Sequence, residues 1–173
     1  MAMSMRTLLA GSWVLLLCAG CSGTAPAETS SAPAVDATGS TQGEDVEASS
    51  RVAAVEVSPA GDGYNFSVTI ESDETGCDRY ANWWEVVTPE GVLLYRRILA
   101  HSHADEQPFT RSGGPVAIGE GDVVVVRSHV DPDGYSTRAM KGTISEGFSS
   151  ANLAEDFATE LKEMEPQPNE CAF

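Results

Sequence analysis

The amino-acid sequence predicts a mainly β protein: an immunoglobulin-like β-sandwich with one C-terminal amphipathic helix, a small barrel or cupin-like jelly roll being the alternative. Three observations carry this. Short apolar runs repeat with period two, tight turns rich in Pro, Asp and Gly separate them, and helical spacing appears only after residue 150.

Taken in order, Val52 to Val57 reads as a strand that turns through Ser58-Pro59-Ala60-Gly61-Asp62-Gly63. In the next run Tyr64, Phe66, Val68 and Ile70 alternate with Asn65, Ser67, Thr69 and Glu71, the pattern of a half-buried strand. Trp83 to Val87 and Val92 to Ala100 form a second hairpin around Thr88-Pro89-Glu90-Gly91, where proline sets φ and glycine tolerates positive φ. Asp122 to Val130 holds four consecutive valines and reads as a buried central strand. Thr137 to Ile144 follows the turn Asp131-Pro132-Asp133-Gly134. In the tail, Leu153, Phe157, Leu161 and Met164 recur at helical spacing, Asn152 and Glu155 make a capping pair, and Pro166 stops the run.

The N-terminal end has a different character. A single cation, Arg6, precedes the apolar run Leu8 to Ala19, which is too short to span a bilayer and reads as a secretory signal over residues 1–20. The boundary Ala19-Gly20-Cys21 resembles the bacterial lipobox, which implies cleavage before Cys21 and acylation of its thiol. Ordinary cleavage after Ala25-Pro26-Ala27, giving a secreted product, is the competing reading. Residues 21–50 are almost wholly small and polar, too poor in apolar surface to offset their ordering entropy, and read as a disordered tether. Residues 51–173 are then one β-rich domain, long enough for a core of its own. The expected address is exported and lipid-anchored to the cell envelope, at the outer membrane or its periplasmic face.

The chain carries 10 Lys plus Arg against 26 Asp plus Glu, a formal charge of −16. Removing residues 1–20 with Arg6 makes this −17. So acidic a surface repels nucleic acid, which leaves the membrane, reached through the anchor at Cys21, as the one partner the sequence names. With Cys18 lost with the signal and Cys21 lipidated, Cys77 and Cys171 remain as a pair in an oxidising compartment. A bridge between them closes a loop of about 95 residues and stabilises by at most roughly 4.7 kcal/mol in the chain-entropy treatment.

The runs GCDRYANWWEVV (Gly76 to Val87), LLYRRILAHSHADEQPFTRSGGPV (Leu93 to Val116) and the ending PQPNECAF (Pro166 to Phe173) are similar to those of an uncharacterised family of exported bacterial lipoproteins. The likeness spans nearly the whole of residues 51–173. It implies an exported domain and brings no activity with it.

Three histidines, His101, His103 and His129, are all the chain has. If the strand from Val92 continues through His103, then His101 and His103 share a face, and a neighbouring strand could bring His129 beside them. Three imidazoles with an open position suit Zn²⁺ or Cu²⁺, with Glu106 as a fourth ligand or an acceptor for a ligand's second nitrogen. The competing reading makes each a separate polar residue near a strand end. Trp83 and Trp84 are adjacent, so one faces the core and the other faces outward. No Gly-rich phosphate loop, Gly-x-Ser-x-Gly elbow or His-Glu-x-x-His motif occurs, so no catalytic residue is nominated. The function these features imply is a non-enzymatic binding or interaction module on the envelope, and the alternative is a small metal-binding protein or metalloenzyme using the three histidines.

Overall fold

The computed structural model describes residues 49–172, which lie in one compact unit. The predicted signal, Cys21 and the tether up to residue 48 lie outside the described residues. Nine strands build the fold: β1 (Ser50–Ala60), β2 (Gly63–Ser72), β3 (Tyr80–Val87), β4 (Leu93–Ile98), β5 (Phe109–Val116), β6 (Val124–Asp131), β7 (Gly134–Tyr135), β8 (Arg138–Thr143) and β9 (Gly147–Asn152).

All nine belong to one sheet, whose path runs β4-β3-β6-β8-β1-β2-β5, with β7 on β6 and β9 on β8. Neighbours are antiparallel except β1 and β8, which touch in parallel at the single pair Arg51 and Arg138. The two ends of the path, β4 and β5, approach each other, and Tyr95 lies so close over Gly113 that a Cβ there would sit 2.6 Å from its hydroxyl. The sheet is therefore a nearly closed barrel, the predicted alternative, and not the immunoglobulin-like sandwich. The long β1–β2 hairpin is the reason. It pairs with β5 on one side and reaches β8 on the other, bridging what would have been two facing sheets.

Strand alternation sends Phe66, Val68 and Ile70 of β2, Trp84 and Val86 of β3, and Val124, Val126 and Val130 of β6 into the barrel. Each is almost wholly buried, and each such side chain contributes about 1.5–3 kcal/mol relative to exposure. The opposite faces of β3 and β6 are buried too. Val87 and Val125 lie beneath Leu161, with Phe157 and Leu153 packed beside them, so the C-terminal segment covers the outside of the barrel there.

That segment is not the predicted amphipathic α-helix. Asn152, the expected cap, is the last residue of β9, paired with Arg138. The chain then turns, passes through Ala158 at φ 46°, and forms only a 3-10 helix, Thr159–Glu163. The backbone bonds are of the shorter kind, Phe157 N–H to Ala154 O, Leu161 N–H to Ala158 O and Met164 N–H to Leu161 O. The carbonyls of Phe157, Ala158, Leu161 and Met164 also accept from Arg127 and Arg96. Cation–carbonyl bonds to the barrel thus share the acceptors that an α-helix would use along its own axis. Met164, expected on the apolar face, is 47% exposed.

The far end of this segment is tied down by a disulfide between Cys77 and Cys171, whose Cα atoms are 5.6 Å apart, and by Ala172 N–H donating to Ala100 O.

Candidate functional site

Beneath the C-terminal segment lies a layer of polar side chains set by strand register. In β3, Glu85 stands opposite Arg96 of β4 and opposite Arg127 of β6, so one row across three strands reads Arg, Glu, Arg. Arg96 Nη2 is 2.8 Å and Arg127 Nη2 2.7 Å from the carboxylate, and all three side chains are essentially sealed from solvent. Two cations face one anion, and the remaining guanidinium N–H groups are satisfied by the carbonyls of the covering segment. The Arg127 guanidinium also lies 3.5 Å from the centre of the Tyr135 ring, and burial beside Glu85 pushes that phenol up to about 12.

The next row holds Trp83 opposite His129. Their rings stack at 3.8 Å and 12°, and Tyr135 meets the imidazole edge-on at 4.8 Å. His129 Nδ1 is 2.8 Å from Asn82 Oδ1. With the amide oxygen as acceptor, Nδ1 carries the proton and Nε2 is left with its lone pair. Burial, then Arg96, Arg127 and Lys162, lower the His129 pKa from 6.5 to about 3, so this imidazole is neutral across the physiological range.

A cleft of about 580 Å³ opens over His129 between the Asp131–Gly134 turn and the C-terminal segment, with Tyr80, Asn82 and Trp83 lining its floor and the Cys77–Cys171 bridge in its wall. A second depression of about 630 Å³ shares His129, Asp133, Gly134 and Lys162 with it. Arg79 holds Asp133 across 2.8 Å at this rim and keeps its carboxyl below the usual carboxylate range. Asp131, Glu163 and Glu170 add acidic charge to the rim, and Lys162 is the basic residue among them.

The three-histidine metal site is not assembled. Strand β4 ends at Ile98, so His101 and His103 lie in the following loop, and β3 stands between β4 and β6. His101 and His103 do meet, with ring centres 4.6 Å apart, but His103 stacks on the core residue Phe109 at 3.9 Å. The His103 backbone N–H donates to Glu74, and burial followed by Arg111 holds its imidazole below the usual histidine range, against the pull of Glu74. Glu106 faces Arg111 at 2.8 Å, and that hydrogen bond lowers its carboxyl. Among the described residues no group of three or more His, Cys, Asp or Glu side chains is placed to hold a metal ion. Trp84 fills the interior as one of the adjacent pair had to, whereas Trp83 faces outward yet is buried under the C-terminal segment.

The surroundings of His129 were not found from the sequence. Glu85, a lone acid within the run YANWWEVV, is the one signal that could have pointed there, because a carboxylate at a buried strand position requires cations opposite it.

Comparison with known proteins adds one relative. A Halomicrobium mukohataei protein named "Putative lipoprotein" is 42% identical over 95 residues, covering 54% of this chain and 46% of that protein. The chain thus spans about half the length of the curated relative it matches. No family model and no solved structure matches the chain.

Proposed function

We propose that the chain is an exported, envelope-anchored lipoprotein whose barrel is a non-enzymatic binding module, with the cleft over His129 as its binding site. The state of His129 carries the binding half of this reading. A general base works best with a pKa near the operating pH. An imidazole held at about 3 by burial and two guanidiniums is a fixed hydrogen-bonding group and not a proton shuttle. Zn²⁺ or Cu²⁺ bound by His101, His103 and His129 together is the weaker reading, since β3 separates the first two from the third.

The anchoring half is supported by Ala19-Gly20-Cys21 and by the name of the relative. The acidic chain would stay clear of nucleic acid and anionic headgroups. Intact mass spectrometry of the membrane fraction tests it. The expected product begins at an acylated Cys21, and Cys21→Ser moves the protein to the soluble fraction. A soluble wild-type product beginning near Glu28 overturns the anchor.

A further inference from the structure

We propose that the cleft over His129 recognises a neutral, hydroxyl-rich ligand of the saccharide class, bound through the Tyr80 hydroxyl, the Asn82 amide and His129 Nε2. The proposal rests on the binding reading of the same cleft and narrows it to a ligand chemistry.

Three side chains in the cleft floor are more than nine-tenths buried, with Tyr80 and Asn82 at 4% and His129 at 8% exposure. Each keeps a polar atom for which no partner occurs among the described residues: the Tyr80 hydroxyl, the Asn82 Nδ2 amide and His129 Nε2. None of the three is among the sealed unpaired atoms, so solvent reaches each, and all three residues line the cleft. Polar atoms that converge on a concave site can exchange their water for the groups of a ligand.

The kind of atom each offers selects the ligand. Burial and the neighbouring Asp131 and Glu74 raise the Tyr80 phenol above its ordinary value, so it stays protonated and can donate. The Asn82 amide donates as well. His129 Nε2 accepts. A hydroxyl group both donates and accepts, so it satisfies this set where a group of one polarity cannot.

Charge of both signs surrounds the site and favours neither a cation nor an anion. Arg96, Arg127 and Lys162 are the charges felt most strongly at His129, and they oppose a cation seated on Nε2. Asp131, Glu163 and Glu170 at the rim oppose an anion entering. Exposed Asn169 lies on the C-terminal wall of the same cleft, where its amide can reach a second hydroxyl.

The test follows the His129 imidazole nitrogens by two-bond ¹H–¹⁵N correlation in the full chain held in detergent micelles. The probes are glucose, N-acetylglucosamine, trehalose and a short dextran, with spermidine and citrate as the cationic and anionic controls. A saturable shift of Nε2 by a saccharide, little changed by added salt, is the expected result. Tyr80→Phe should weaken that binding about three- to tenfold, the value of one hydrogen bond. Asn169→Ala, at an exposed position that leaves the fold intact, should weaken it by a smaller factor. A shift of Nε2 by spermidine or citrate and by none of the saccharides overturns the ligand class and keeps the cleft as a binding site. No shift with any probe at tens-of-millimolar concentration overturns the saccharide and the binding reading together.

Discussion

The two faces of β3 and β6 are both buried and chemically opposite. Inside the barrel, Trp84, Val86, Val124 and Val126 belong to one apolar cluster, with the buried hydroxyl of Ser128 opposite Trp84. Outside it, on the same two strands, Glu85 and Arg127 are as completely covered, by a segment that has little regular structure, and His129 beside them borders the cleft. Interior packing is non-directional and tolerates small changes of shape. The covered outer face is held by directional bonds between guanidiniums, one carboxylate and backbone carbonyls, so it specifies where the C-terminal segment lies as well as adding to stability. An apolar face would bury a helix of the right period in several registers. The Arg96–Glu85–Arg127 row admits only a backbone that presents carbonyls at Phe157, Ala158, Leu161 and Met164.

This contrast predicts unequal responses to changes of similar size. Glu85→Gln keeps the volume and removes the charge, leaving two guanidiniums without their anion. It should cost about 3–5 kcal/mol in urea unfolding at neutral pH, as for other broken buried pairs. Ile70→Val, which removes one methylene from the interior, should cost only about 0.5–1.5 kcal/mol. If the order is reversed, the outer layer is not held ionically and the contrast collapses.

A second test uses acid. The His129 pKa lies lower in the folded state than in the unfolded chain, which therefore binds the proton more readily. The stability that neutral His129 permits is complete above about pH 6.5 and is lost as pH falls toward 3. Between pH 7 and pH 4 this amounts to about 3 kcal/mol. Asp133 and Glu106, also depressed, lose stability in the same direction at lower pH. The His129 share is the difference between wild type and His129→Gln, measured by thermal unfolding at both values. An equal acid response in the two proteins would place the imidazole in solvent.

Those two responses also mark how far the sequence could be read. The interior was legible, because alternation is local. Phe66, Val68 and Ile70 lie in the barrel as their spacing predicted, and the valine run is a central strand. Closure was not legible, because it depends on which distant strands pair. β5 and β9, with sequences FTRSGGPV and GFSSAN, lack alternating apolar residues and are strands only because β2 and β8 offer them edges. The tail misled for a related reason. Leu153, Phe157 and Leu161 do face the barrel, as helical spacing implies, but the arginines decide the backbone that carries them there. Of the cleft, His129 and Trp83 were each singled out from the sequence, but their stacking and the role of Asn82 were not, since that neighbourhood is fixed by the register of β3 against β6.

The smallest predicted effect separates distance from burial. Arg51 and Glu71 are paired across β1 and β2 at 2.5 Å, closer than Arg96 or Arg127 approaches Glu85, yet both side chains are about half exposed. In water the Coulomb attraction of such a pair is screened, and holding two long side chains in one geometry costs entropy. A double-mutant cycle with Arg51→Met and Glu71→Gln should therefore return a coupling below about 1 kcal/mol, falling further with added salt. The corresponding cycle across Arg127 and Glu85 should be larger and nearly independent of salt, because no ions enter that layer. If the exposed pair gives the larger coupling, separation and not desolvation governs these ion pairs, and the distinction between the barrel's open surface and its covered face fails at the point where it is most easily measured.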